Sequence, residues 1–181
     1  MDERSDEALF EAWQRGDRAA LGVLFTRYKG GVTSYARRML RSHQEAEDVC
    51  LEAFQKVLKG GYGQKGSFRA FVFTVAHRLC LDRMRRSTRA KNAMERMPEP
   101  TPARSPEESV VHADRLGRLE QAMEGLPEQH RAVLLLYYGQ ALKTREVAEI
   151  LGRRHDQARS KIAYACRLLR EALTDAEEVP V

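Results

Sequence analysis

Apolar residues recur at three- and four-residue spacing along most of the chain, which predicts helices throughout. Leu9, Phe10 and Trp13 open the pattern, and Gly16-Asp17 interrupts it. Asp17 is placed to cap a second helix whose buried face carries Ala20, Leu21, Leu24 and Phe25. The pattern continues from Tyr28 to Leu40, with Gly30-Gly31 as a weak spot or a break. Ser42 or His43 begins a third helix that runs to about Leu58. Its apolar positions are Ala46, Val49, Ala53, Phe54, Val57 and Leu58, and its polar surface holds Glu45, Glu47, Asp48 and Glu52. The glycines from Gly60 to Gly66 end it in a flexible loop. A fourth helix, Ser67 to Arg89, sets Phe68, Phe71, Val72, Val75, Ala76 and Leu79 on one side. Arg69, His77, Arg78, Arg83, Arg85 and Arg86 line the other.

The periodicity then stops. Pro98, Pro100, Pro102 and Pro106 remove backbone donors and oppose helix geometry, so residues 96–109 read as an extended linker. Helices resume over Val110–Met123 and again after Leu126-Pro127, with Val133, Leu134, Leu136 and Tyr137 as core. From Thr144 to Leu169 the chain reads as a short helix, a turn and a longer helix. Thr144 is the expected cap, Glu146 sits in the first turn, and Val147, Ala148 and Leu151 form the apolar face. Gly152 supplies the turn, and Ala158, Ile162, Ala165 and Leu169 give the second helix its stripe. The expected fold is all-α: two small helical domains, residues 1–95 and 110–175, joined by the proline-rich linker, the second containing a helix-turn-helix.

Charge sharpens this. The net charge of +5 alone says little, but its distribution is uneven. Arg131–Arg170 holds nine Lys or Arg against three acids, and Gly66–Lys91 holds seven against one. Two basic segments suggest contact with a polyanion at two places. The second helix of the helix-turn-helix would carry Arg153, Arg154, His155, Gln157, Arg159 and Lys161 towards a DNA groove. The phenylalanines among arginines in the fourth helix suit either bases that have left the stack or ordinary core packing. The acidic third helix would be repelled by nucleic acid and reads as a protein-binding face, with a merely solvated surface as the alternative. Cys50, Cys80 and Cys166 have no metal or disulfide spacing and read as small buried residues of a reducing compartment. The glycine loop lacks the Lys-Ser/Thr ending of a phosphate-binding loop. No catalytic constellation, cofactor site, signal peptide or membrane-spanning run is legible, so a cytoplasmic, non-enzymatic protein is expected.

An acidic helix, a basic aromatic helix, a proline-rich linker and a C-terminal helix-turn-helix follow one another. In that order the chain resembles the extracytoplasmic-function (group 4) sigma factors of bacterial RNA polymerase over roughly Asp6 to Leu173. The matching stretches are Gly16-Asp17 with Ala20, Glu45-Ala46-Glu47-Asp48-Val49 with Phe54, and Phe68 to Arg86. Leu126-Pro127 with Arg131 and Glu146 to Gly152 with Ser160 complete them. The resemblance implies that Glu45, Asp48, Glu52 and Phe54 make or support the contact with core polymerase. It implies that Phe68, Arg69, Phe71, His77, Arg78, Arg83, Arg85 and Arg86 serve the −10 promoter element. The helix-turn-helix would read the −35 element, the linker would thread towards the polymerase active-site channel, and an anti-sigma factor is an expected partner.

The chain departs from the family at several places. Leu51 stands where Gln is usual, Phe71-Val72 where Trp-Leu is, and Arg78 where an Asn is common. In the recognition helix Arg154, Asp156, Gln157 and Ala158 replace Ser, Gly, Thr and Val. Asp156 either replaces the lost serine cap or accepts from a cytosine amino group. Two other readings fit: a stand-alone helix-turn-helix regulator, and a polymerase-binding decoy that does not initiate.

Overall fold

The computed structural model describes residues 2–59, 62–63, 66–94 and 112–175, the backbone alone for 91–94, 112–115 and 175. The linker expected over 96–109 lies outside them. The helices are α1 (Asp6–Gln14), α2 (Arg18–Leu40), α3 (His43–Leu58), α4 (Phe68–Met94), α5 (His112–Gly125), α6 (Glu128–Leu134), α7 (Thr144–Ile150) and α8 (His155–Asp175). A wide π-helical turn, Leu135–Gly139, prolongs α6. The chain is all-α, with α1–α4 and α5–α8 as two helical groups.

Local chemistry sets most of the helix ends. Ser5 and Ser42 accept from Ala8 and Glu45 amides at 3.2 and 3.3 Å and so cap α1 and α3. Asp17 caps α2 by accepting from the Ala19 and Ala20 amides. The turn from α1 into α2 needs Gly16, whose φ is +103°. The expected break at Gly30-Gly31 does not occur, and α2 runs through both glycines. The reason is tertiary. A Cβ on Gly31 would lie 2.6 Å from Gln140 Oε1 and 3.4 Å from Phe73 Cζ, so the glycine admits a close approach. Thr144 is not the cap of α7: the cap position is Lys143, whose amide donates to Glu146 Oε2 at 2.9 Å.

The first group packs around aromatic rings. Phe10 meets Tyr62 edge-on at 4.9 Å and Phe68 at 5.7 Å, while Tyr62 and Phe68 meet at 5.3 Å. The second group is aliphatic, built on Leu126, Val133, Leu136, Leu142, Val147, Ile150 and Ile162. Both groups contribute to one continuous core. Their seam is polar at the edges. Ser67 Oγ donates to Glu146 at 3.0 Å, Arg69 donates to the Gln140 carbonyl, and Arg41 donates to the Glu124 carbonyl at 2.9 Å.

Phe68 is fully buried and touches Phe10, Tyr28 and Tyr62, so Phe68→Ala should cost about 3–5 kcal/mol. Urea unfolding followed by the fluorescence of Trp13, which stacks on Phe10, measures it. A loss below about 1 kcal/mol would show that Phe68 is not part of a closed core.

Candidate nucleic-acid and polymerase interfaces

The turn between α7 and α8 is fixed by hydrogen bonds rather than by composition. Gly152 takes φ +60°, its amide donates to the Glu149 carbonyl at 3.1 Å, and the Arg153 amide donates to the Ala148 carbonyl at 2.9 Å. This double closure seals α7 and directs the chain into α8. Ala158, Ile162 and Ala165 bury the inner face of α8, which turns Arg153, Arg154, His155, Gln157 and Arg159 outward. The start of α8 is satisfied by Gln157, whose Oε1 accepts from the Arg154 amide at 3.2 Å. Asp156 instead pairs with the Arg154 guanidinium at 3.2 Å, in the first turn where a carboxylate is favoured. Lys161 is drawn inward. Its Nζ donates to Gln129 Oε1 at 2.8 Å, and burial and then Arg153 lower its pKa.

The fourth helix divides its residues between core and surface. Phe68 is buried, Phe71 is half-buried against Tyr62, and Arg69 is engaged with the Gln140 carbonyl. His77 is 7 % exposed, with Nδ1 2.8 Å from the Tyr35 hydroxyl. Arg83 belongs to the acidic helix: it donates to the Glu45 carbonyl at 2.7 Å and lies 3.4 Å from Glu52 and 3.9 Å from Asp48. Arg78, Arg85 and Arg86 stand exposed. Of the eight α4 residues assigned to the −10 element, these three form its outward cationic face.

On α3, Glu45 and Asp48 are exposed and Glu52 is half-exposed, while Phe54 is buried edge-on against Phe25 at 5.0 Å. Phe54 thus holds the helix in place from beneath. Two further residues join this face: Leu51 is 53 % exposed and Leu58 46 %. Apolar side chains standing among carboxylates suit a protein partner better than plain solvent. Leu51 is readable in the sequence as an apolar residue on the polar side of the stripe; periodicity assigns Leu58 to the apolar side, and the structure leaves it half-exposed near the helix end.

Residues 24–90 match the family Sigma-70 region 2, and residues 116–169 match Sigma-70, region 4. The ECF RNA polymerase sigma factor SigE of Mycolicibacterium smegmatis is 32 % identical over 181 residues, covering 95 % of this chain and 69 % of the relative. SigL of Mycobacterium tuberculosis is 31 % identical over 163 residues, covering 87 % and 90 %. The chain belongs to the extracytoplasmic-function group of RNA polymerase sigma factors. Such a protein is not an enzyme; it binds core polymerase and directs transcription initiation. In fold the sigma factor is similar to CnrH in complex with the cytosolic domain of CnrY, with TM-score 0.71, 21 % identity and coverage of 97 % and 100 %. It is also similar to RpoE in complex with the anti-sigma factor NepR from Bartonella quintana, with TM-score 0.62, 18 % identity and coverage of 79 % and 89 %. Among the described residues of the sigma factor, no helix is long and apolar enough to cross a membrane.

Burial, with a smaller contribution from Arg78, holds the His77 pKa down at about 4. The unfolded chain binds this proton near the ordinary value of 6.5 and the folded chain does not. Between those values stability therefore falls as pH falls, by on the order of 3 kcal/mol in all. In His77→Gln, unfolding titrations between pH 4 and 6.5 should show a slope smaller by about one proton. An unchanged slope would mean that His77 is not buried in its neutral form.

Proposed function

We propose that α7 and α8 form the helix-turn-helix that reads the −35 promoter element, with α8 in the major groove of duplex DNA. The observation that carries this is the outward cluster of Arg153, Arg154, His155 and Arg159 at the start of α8. Phosphate contacts by these arginines position the helix, and Arg154 or Gln157 reaches a base edge. Arg78, Arg85 and Arg86 on α4 serve the −10 element, with Phe68 and His77 fixing the helix from inside the core. Arg69, bonded to the Gln140 carbonyl of the other group, comes into use when the seam opens, and Phe71 supports the start of α4 by packing on Tyr62. The two functional units are residues 1–95 and 110–175. Joint reading of two separated elements requires them to part, since the start of α4 is held against α7 in this conformation.

The polymerase contact in this reading is the acidic face of α3. Glu45, Asp48 and Glu52 supply charge, Leu51 and Leu58 supply apolar area, and Phe54 keeps the helix seated. Arg83 braces that face rather than DNA. An anti-sigma factor is the expected regulatory partner, supported by the fold shared with CnrH and RpoE, both solved as complexes.

The direct test is transcription by core polymerase on a library of genomic promoter fragments, with and without this protein. New defined start sites whose upstream sequences share two elements are expected; polymerase binding without any new start would replace this reading with a decoy. Reversing the charge of Asp48 and Glu52 together should cut polymerase capture at least tenfold while duplex binding stays within twofold. Equal capture by the variant would remove α3 from the interface. Arg159→Ala should weaken binding to all duplexes and lower the slope of log affinity against log salt by about one. A slope identical to that of the parent would show that Arg159 touches no phosphate.

A further inference from the structure

Among the described residues, three buried side-chain atoms lack a hydrogen-bond partner: Thr33 Oγ1, His130 Nδ1 and Arg131 Nε. Only Arg131 carries a formal charge, and its residue is 8 % exposed. Burial lowers its pKa, with Arg41 adding to the effect and Glu124 and Glu128 opposing it. The Nε is closed off from solvent and shows how deeply this guanidinium is set; the cationic groups a ligand can reach are those that line the neighbouring cavity.

Arg131 lines a cavity of about 320 Å³ together with Arg37, Arg38 and Arg41 from the end of α2. Glu120 and Glu124 of α5 line it too, and their contacts leave the arginines incompletely matched. Arg38 is 3.7 Å from Glu120 and Arg41 is 3.7 Å from Glu124, both beyond hydrogen-bond distance. Arg41 makes one hydrogen bond here, to the Glu124 carbonyl at 2.9 Å. Four guanidinium groups line the cavity with two carboxylates, and Glu128 adds a third near Arg131, which leaves cations in excess. Planar, forked donors in this number match phosphoryl oxygens, which accept bidentate pairs, better than a single halide or carboxylate.

We propose that this cavity binds a small, multiply charged phosphate, of the size of a di- or triphosphate group. The walls come from both helical groups, α2 on one side and α5 and α6 on the other, so the bound anion bridges the seam. The ligand then favours the arrangement in which α4 lies against α7. This inference stands on the cavity alone and is independent of which DNA element α8 reads.

Calorimetric titration of the full chain with sodium tripolyphosphate at low salt tests it. One binding site per chain is expected, weakened at least tenfold in Arg131→Gln and in Arg41→Gln. Arg167→Gln, which removes a cation paired with Glu171 on α8, should bind as the parent does. Circular dichroism establishes that each variant is folded. If Arg131→Gln is not, Arg41→Gln decides, since the Arg41 side chain is 47 % exposed. GTP binding tighter than tripolyphosphate would assign the site to a nucleotide, and equal or weaker binding to an inorganic phosphate. No binding heat, several equivalent sites, or an equal loss in Arg167→Gln would overturn the proposal. So would loss of non-specific duplex binding in Arg41→Gln with no tripolyphosphate affinity in the parent, which would make the cluster a DNA-backbone contact.

Discussion

Two helix starts share one pair of side chains, and the relation between the halves of this molecule rests on that economy. Ser67 Oγ accepts from the Ala70 amide at 3.0 Å and donates to Glu146 at 3.0 Å. The same Glu146 accepts from the Lys143 amide at the start of α7. Each residue satisfies an end of its own helix and also reaches the other group. Of this pair's contacts, parting the halves removes the Ser67–Glu146 bond alone and leaves both caps intact. Such a contact suits the opening of the seam that the proposed mode of action requires, because neither helix end is then left without an acceptor.

Next to this pair the seam depends on residues without bulk. A Cβ on Gly66 would fall 2.2 Å from a Glu149 carboxylate oxygen, and Gly66 itself holds φ +79°. Gly31 admits Gln140 in the same manner. Glycine thus acts here through what it omits. These short contacts sit at the edge of the buried core that both groups share.

Much of the fold was legible because it is local. The cap at Asp17, the start of α3 at Ser42 or His43, the turn at Gly152 and the apolar stripes of α3 and α8 follow from residue type and spacing. What escaped was set at long range. Gly30-Gly31 has the chemistry of a break, yet packing against Phe73 and Gln140 carries α2 through it. Thr144 has the chemistry of a cap, yet Glu146 reaches back and moves the cap position to Lys143. Among the candidate site residues, periodicity assigned most of α4 to its polar or apolar side but placed the buried His77 on the polar one, and it did not show which cations were already engaged. Arg69, Arg83 and Lys161 each have a partner distant in sequence that no spacing rule contains. Phe68 and His77 illustrate the same limit from the other direction: both residue types suit nucleic acid, and both are enclosed by the core.

The bond from the Arg154 amide to Gln157 bears on how sharply a promoter can be discriminated. A bidentate contact of this side chain with a base, which needs the oxygen as well as the Nε2 donors, draws on an acceptor that already serves the helix. Reading at that position is an exchange between two hydrogen bonds, so its net contribution is smaller than that of a side chain standing unused in water. A wrong base pair there restores the internal bond instead of stranding a polar group. If α8 reads duplex DNA as proposed, the matching promoter position should therefore be the one most tolerant of sequence drift, with the exposed arginines beside it holding the helix on the duplex.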